Sequence, residues 1–295
     1  MMYNYRIHGV SHVVKAFIGN LEYLFFKPHY KPGTLYILNL HGTPKKFTSN
    51  FERQVQFFKK KFQFLSPEQA LSFLRGIDIQ ISDKPLMLIT FDDNMANNAY
   101  AIEILDKYNI QALHFVVTDF LNAPRSSQAG FYKTKIRPEI NEFIDGSEED
   151  LTSYTWDQMR RWYNSGHRFG VHTKSHTMVK DYLNSAELES EIVSCKYEIA
   201  ERLNINADAI PFFCSINNTL LTVGKRELKY IRANYEFHFT TLPGRNTPAT
   251  NKMGILRFNI ESHWLMGAVK YTIGRWNMNR WRTRLNDYQD LLAQP

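Results

Sequence analysis

The chain has 295 residues, 43% hydrophobic and 22% charged, a balance that excludes a disordered chain and allows one large α/β domain or two smaller ones. Its 36 Lys and Arg against 29 Asp and Glu give a formal charge of +7, which favours anionic partners without naming one. Cys195 and Cys214 are too few and too far apart for a disulfide framework or a CxxC metal site, and point to a reducing compartment.

From the N-terminus, His8, His12 and Lys15 interrupt any signal-peptide core, so the expected location is the cytoplasm. Val13, Val14, Phe17, Ile18, Leu21, Leu24 and Phe25 recur at helical spacing and predict an amphipathic helix, broken by Pro28, Pro32 and Gly33. The apolar run 35–40 suits a buried strand that delivers His41 and Gly42. Residues 51–64 read as a helix with Phe51, Val55, Phe58 and Phe62 on one face. Residues 86–91 are the clearest buried strand, with Asp92 and Asp93 just past its end. A helix at 96–108, a strand at 113–117, a helix at 156–164 stopped by Gly166, and a strand at 168–171 leading into His172 follow. A long helix over 186–203 and an extended segment at 210–214 complete the series. Strands alternating with helices predict a parallel sheet or barrel, whose chemistry gathers where loops leave the C-terminal strand ends. His41, Asp92, Asp93 and His172 all fall at such ends.

Asp92 and Asp93 point in different directions, so one carboxylate can bind a metal while the other faces a substrate. Taken alone, an Asp pair is more often a helix cap or turn. In His172-Thr-Lys-Ser-His176 two imidazoles four residues apart can meet one cation, and with one carboxylate they leave positions open for water and substrate. Taken alone, such a pair is more often two ordinary histidines. The HExxH signature is absent, because Thr173 stands where its Glu would be.

Together these segments carry a resemblance. Thr90-Phe-Asp-Asp-Asn-Met-Ala-Asn-Asn98, with 104–110 and 115–117 after it, resembles the first motif of the polysaccharide deacetylases, carbohydrate esterase family 4 with the NodB-homology fold. Trp156-Asp-Gln-Met-Arg160 and Ser165-Gly-His-Arg-Phe-Gly-Val-His-Thr-Lys-Ser-His176 resemble the second motif and its preceding helix. The similarity runs from about residue 35 to 260 and implies a distorted (β/α)7-type barrel at 34–262, between an N-terminal helix and linker at 1–33 and a basic helical extension at 263–295.

By that resemblance Asp93, His172 and His176 are metal ligands and Asp92 is the general base. The family's acid is a histidine, usually late in the domain. Asn39-Leu-His41-Gly-Thr resembles the circularly permuted order in which that strand comes first, with His263 as competitor. Arg257 resembles an arginine on a late strand and is expected to pair with Asp92; the ordinary alternative is a surface arginine. The departures are Asn94 in place of a glycine, a missing arginine beside the third motif, and Phe212-Phe-Cys-Ser-Ile-Asn-Asn218 in that motif's place. Ser215 and Asn217 are the expected oxyanion and substrate contacts, since a main-chain N–H does not depend on its side chain.

The implied activity is metal-dependent removal of N-acetyl groups from an amino sugar in a glycan. The metal is zinc by default, with cobalt, nickel or iron able to use the same ligands. A deformylase or deacetylase of a lipid- or nucleotide-linked sugar, and a non-catalytic glycan binder, remain open alternatives. No nucleic-acid motif accompanies the positive charge. Beyond Trp264 the chain is basic and aromatic, and Met278, Trp281, Leu285, Tyr288 and Leu292 share a helical face. That face packs on the barrel or rests on the inner surface of an anionic membrane.

Overall fold

A computed structural model describes residues 10–26, 30–77, 83–138, 147–179, 183–215 and 225–274. Among them nine strands form one sheet: Leu35–Leu40 (β1), Gln63–Phe64 (β2), Leu86–Phe91 (β3), Ala112–Val116 (β4), Arg168–Val171 (β5), Phe212–Cys214 (β6), Phe237–Phe239 (β7), Arg245–Asn246 (β8) and Phe258–Asn259 (β9). The order is β7-β6-β5-β4-β3-β1-β8, with β2 on β3 and β9 on β1. All pairings are parallel except that of β1 with β8. This is the expected distorted barrel, a parallel half-barrel sheet flanked by helices.

β1 and β3 are buried at every residue, as apolar strands covered on both faces must be. Alternate residues of a strand face opposite ways, and here they feed two cores. Tyr36, Leu38, Leu40, Met87, Ile89 and Phe91 pack with Phe51, Val55 and Phe58 of helix Thr48–Lys61 and with Ala101, Ile102 and Leu105 of helix Asn98–Lys107. Leu35, Ile37, Leu86, Leu88, Leu113, Phe115 and Phe212 turn to the other face, where Leu71, Phe73 and Leu74 of helix Pro67–Leu74 join them. That second set is the barrel interior. Continuing its alternation past the strand ends brings His41, Asp92 and His172 to the mouth.

The register differs from the sequence reading in one informative place. The helix expected over 51–64 runs Thr48–Lys61, and Phe62 is extended, with φ −127° and ψ 155°. Gln63 then donates to the Pro85 carbonyl and Leu65 to that of Met87, both at 2.9 Å. Sheet pairing outweighs the helical spacing of Phe62. Ser66 and Gln69 cap each other to start the next helix, a pattern legible in Ser66-Pro-Glu-Gln69 but not anticipated. The helix expected at 186–203 spans Ser185–Leu203 with a wider-wound turn at Glu189–Ser194.

Helix Val10–Phe26 forms as expected and crosses Met266–Ile273 at two glycines. A Cβ on Gly19 would lie 2.0 Å from the Gly267 carbonyl, and one on Gly267 would lie 2.1 Å from that of Ala16, so only glycine permits this approach. Among the described residues no helix is long and apolar enough to cross a membrane. The amphipathic face from Met278 to Leu292 lies outside the described residues.

The interior also buries three histidines in neutral form. Burial pushes His114 and His167 below the ordinary imidazole value of 6.5 and His238 down to about 4. A folded pKa below the unfolded one means that the unfolded chain binds more protons across this window. Stability is therefore expected to fall as the pH drops from about 6.5 towards 4. Phe should replace His114, stacked among Phe91, Trp162 and Phe169, and flatten the fall by about 1.4 kcal/mol per pH unit. Urea unfolding at pH 7.5, 6 and 5 measures this; an unchanged slope refutes it.

Candidate metal centre and active site

Three side chains from two strand ends converge. His172 follows β5, whose Val171 pairs with Val116 of β4, and Asp93 follows β3. The Nε2 atoms of His172 and His176 lie 3.4 and 3.2 Å from Asp93 Oδ1. All three candidate donor atoms fall within 4.8 Å of one another. Spacings near 3.3 Å suit ligands about 2.0–2.1 Å from one tetrahedral ion.

Two further observations test the fit. Asp93 Oδ1 is buried without a hydrogen-bond partner, an orphan that an ion would satisfy. The other imidazole nitrogens, His172 Nδ1 and His176 Nδ1, face the carbonyls of Cys214 and Lys135 at 2.8 and 2.7 Å. A carbonyl only accepts, so each Nδ1 carries a proton and Nε2, facing Asp93, is the atom each ring can offer to a metal. The residues fit a divalent metal. Burial disfavours the charge on Asp93, but the imidazoles around it more than offset this and hold its carboxyl well below the usual range.

The loops reach these positions through unusual backbone. Asp93, Asn94, Thr173 and His176 all have positive φ, at 68°, 39°, 59° and 61°. Asn94, where the resemblance leads one to expect a glycine, is held at both ends of its amide. Its Oδ1 accepts from the Val117 N–H at 2.7 Å, and its Nδ2 donates to Ser153 Oγ at 2.7 Å. The turn thus survives the substitution through side-chain bonds that glycine does not have.

Asp92 sits beside this cluster, and Arg257 is its partner. The guanidinium is fully buried and grips both carboxylate oxygens, Nη1 to Oδ1 at 2.7 Å and Nη2 to Oδ2 at 2.9 Å. It also donates to Asn39, Thr90 and the Thr240 carbonyl, and lies over the Phe115 ring. The expected pairing with Asp92 forms and the surface alternative does not hold: β9 pairs with β1, and the adjoining segment turns this side chain into the barrel. Burial opposes ionisation of Asp92, yet Arg257 and then His172 bring its pKa below the ordinary value.

His41 follows β1 and lines the same cleft, of about 490 Å³. Its Nδ1 lies 2.7 Å from Glu261 Oε1, so a carboxylate orients the ring from behind. Glu261 was not singled out from sequence; it lies two residues beyond β9, itself paired to β1, and nothing local marks it. The competitor His263 is absent from the cleft lining and packs against Phe47. Gly42 is required by a close approach, since a Cβ there would lie 2.6 Å from Asn97 Oδ1, which accepts from the Thr43 N–H.

Ser215 also lines the cleft, just past β6, and its hydroxyl faces the neutral His238 at 3.1 Å. Asn217 lies outside the described residues. Also missed were Thr134, Lys135, Ile136 and Arg137 on the rim; they come from the wide-wound segment Tyr132–Ile136 and its end, which no periodicity signalled.

A parallel half-barrel with an Asp-His-His cluster at its C-terminal mouth, a buried Arg–Asp pair beside it and a carboxylate-backed histidine opposite defines a class of candidate metallohydrolases. Residues 80–225 match the family model described as polysaccharide deacetylase. No curated protein matches the sequence. The fold is similar to the Streptococcus pyogenes deacetylase PplD in complex with acetate (19% identity, TM-score 0.59, covering 83% of this chain and 100% of that one). It is also similar to IcaB from Ammonifex degensii (17%, 0.55, 82% and 98%) and to the BpsB deacetylase domain from Bordetella bronchiseptica (18%, 0.57, 78% and 96%).

Two outcomes check this geometry. Asp93→Ala should lower zinc affinity at least about 100-fold in calorimetric titration, with the fold retained; near-wild-type affinity would dissolve the ligand set. Arg257→Gln leaves Asp92 buried without its counter-ion and should cost about 3–5 kcal/mol in urea unfolding. A cost below 1 kcal/mol would mean that the pair contributes little.

Proposed function

We propose that this protein is a metal-dependent carbohydrate N-deacetylase that hydrolyses acetamide groups of an N-acetylated glycan. The observation that carries the reading is a buried carboxylate oxygen faced by two Nε2 atoms, with a second carboxylate locked beside it. The family match and the deacetylases that share its fold support a hydrolase acting on amide bonds.

Asp93, His172 and His176 would hold a divalent cation, which would supply Lewis-acid polarisation of the carbonyl and lower the pKa of water from ~15.7 towards neutrality. Zinc is our choice for two imidazoles and one carboxylate. Asp92 is the base that takes the water's proton. Arg257 fixes its orientation and keeps it anionic despite burial, so the proton has a ready acceptor at neutral pH. The Ser215 main-chain N–H is our candidate donor to the oxyanion. His41 gives the departing nitrogen its proton, its ring oriented at Nδ1 by Glu261. The products are acetate and a free amino sugar. A cytoplasmic location, with contact to the inner membrane face through the C-terminal segment, remains our proposal from sequence.

Asp92→Asn is expected to reduce kcat for acetate release from a zinc-loaded chain by about 10²–10⁴-fold while zinc binding persists. Full activity in that variant would remove the assignment. Release of formate instead of acetate from N-formyl substrates would move the reading to a deformylase.

A further inference from the structure

The loop between the two candidate histidine ligands is held by a carboxylate that is neither ligand nor base. His172-Thr-Lys-Ser-His176 brings both Nε2 atoms to Asp93 Oδ1, and in doing so takes positive φ at Thr173 (59°) and His176 (61°). For a β-branched residue such as Thr173 that conformation is strained, and it persists only where the surroundings over-determine it. Much of that support comes from one residue, Glu191.

Glu191 Oε2 accepts from two consecutive main-chain N–H groups, those of Lys174 at 3.1 Å and Ser175 at 2.9 Å. Its Oε1 accepts from the Ser175 hydroxyl at 2.7 Å. Successive N–H groups converging on one oxygen form a small anion-binding nest, and here the anion is a side chain of the same molecule. The Glu191 main-chain carbonyl also accepts from the Lys174 N–H, at 3.1 Å. The peptide that joins Lys174 to Ser175 is clamped on both sides. Its carbonyl accepts from the Asp119 N–H at 2.9 Å, while its N–H meets Glu191. A planar trans peptide held at both its oxygen and its nitrogen has little freedom to turn, and His176 follows directly from it.

Glu191 reaches the loop where its own helix loosens. The chain winds regularly over Ser185–Leu188 and Cys195–Leu203, and more widely over Glu189–Ser194 between them. In that wide turn both the side chain and the carbonyl of Glu191 serve the loop. The wide-wound segment Tyr132–Ile136 acts on the same loop from another side, since its Lys135 carbonyl accepts from His176 Nδ1 at 2.7 Å. Two irregular turns, far apart in sequence, thus converge on one pair of imidazoles.

We propose that Glu191 is a positioning residue for the metal centre: by holding the turn at 173–175 it fixes the direction from which His176 meets a cation, although it is neither one of the three candidate ligands nor part of the cleft lining. This rests on Asp93, His172 and His176 being the ligands, and is independent of which acyl group or sugar is processed. A carboxylate that only strengthened the fold would act on unfolding of the metal-free chain and leave affinity alone. One that positions a ligand acts on affinity itself, because an imidazole left unheld must be ordered each time a cation binds.

Zinc Kd by calorimetry and urea unfolding of the metal-free chain separate these, measured on the full-length wild type, Glu191→Ala, Glu191→Gln and Ser175→Ala. Glu191→Ala should weaken zinc binding about tenfold or more. Glu191→Gln keeps an oxygen for the nest but loses the charge that makes such bonds roughly twice as strong, and should fall between the two. Ser175→Ala removes one of the three side-chain contacts and should cost about threefold. Adding Ser175→Ala to Glu191→Ala should cost almost nothing more, since the two residues share that interaction.

Unchanged zinc Kd in both Glu191 variants, with any loss confined to urea unfolding, would overturn the positioning role. If Glu191→Ala does not fold, Glu191→Gln and Ser175→Ala decide in its place: a graded loss of affinity supports the role and unchanged affinity overturns it. Asp93→Ala tells this failure from that of the metal centre. Zinc binding that Asp93→Ala abolishes and the Glu191 variants leave intact sinks only the role of Glu191. Zinc binding that Asp93→Ala leaves intact sinks the ligand set and this proposal together.

Discussion

The molecule is arranged around one buried ion pair. Arg257 has no exposed surface, and a guanidinium removed from water costs several kcal/mol unless its donors are met. Here they are met by both oxygens of Asp92, by Asn39 and Thr90 from the two central strands, and by the Thr240 carbonyl. Each partner lies on a different part of the sheet, so the pair constrains β1, β3 and the β7 edge at once. The same contacts set the chemistry. With its two oxygens held, Asp92 stays ionised and points in one direction, which frees Asp93 to be the carboxylate that meets a metal. Two adjacent acids would otherwise repel, and one would take up a proton.

The site is a product of strand parity. β1 and β3 run in parallel with Leu40 opposite Phe91, so His41 and Asp92 leave the sheet level with one another and on the interior face. Val171 opposite Val116 carries His172 to the same rim. The groups that follow these ends must then leave the extended conformation sharply. That explains why positive φ gathers at Asp93, Asn94, Thr173 and His176, whose cost is about 1–3 kcal/mol where the residue is not glycine. Side-chain bonds to backbone amides and carbonyls, from Asn94 to the Val117 N–H and from His176 to the Lys135 carbonyl, hold these turns in the absence of glycine.

Local sequence carries much of this. Apolar runs marked β1, β3, β4 and β5 because strands buried on both faces leave no polar alternation to misread. The residues just past them became candidates through their position and type together with the two motifs they belong to. What stayed hidden was set by distant partners. Phe62 has helical spacing but is extended, because the Pro85 and Met87 carbonyls lie within reach of its neighbours. Arg257 could be read as exposed, since nothing in Gly254-Ile-Leu-Arg-Phe258 says which way a two-residue strand faces. Glu261 carries no local mark at all; its meaning comes from His41, 220 positions away. The rim cations depend on a wide-wound turn whose periodicity matches neither helix nor strand.

That separation also bears on how the site comes to exist. His41 is delivered by the first strand of the barrel, while its partner Glu261 and the anchor of Asp92 come from the last part of the barrel segment. Both late residues reach the centre because β9 pairs in parallel with β1, with Leu38 opposite Phe258 and Asn39 opposite Asn259, and Asn39 Nδ2 donates to Asn259 Oδ1 at 3.0 Å. Closing a loop of this length costs conformational entropy before any contact is gained. The candidate ligands Asp93, His172 and His176 lie within the intervening chain and converge through β3 to β5, so this cluster needs less of the fold than the proposed base and acid do. Docking of β9 on β1 is the step that gives Asp92 its charge partner and His41 its orientation. The Asp92–Arg257 and His41–Glu261 pairs are therefore coupled to completion of the barrel, while the Asp93, His172 and His176 cluster draws on a smaller part of it.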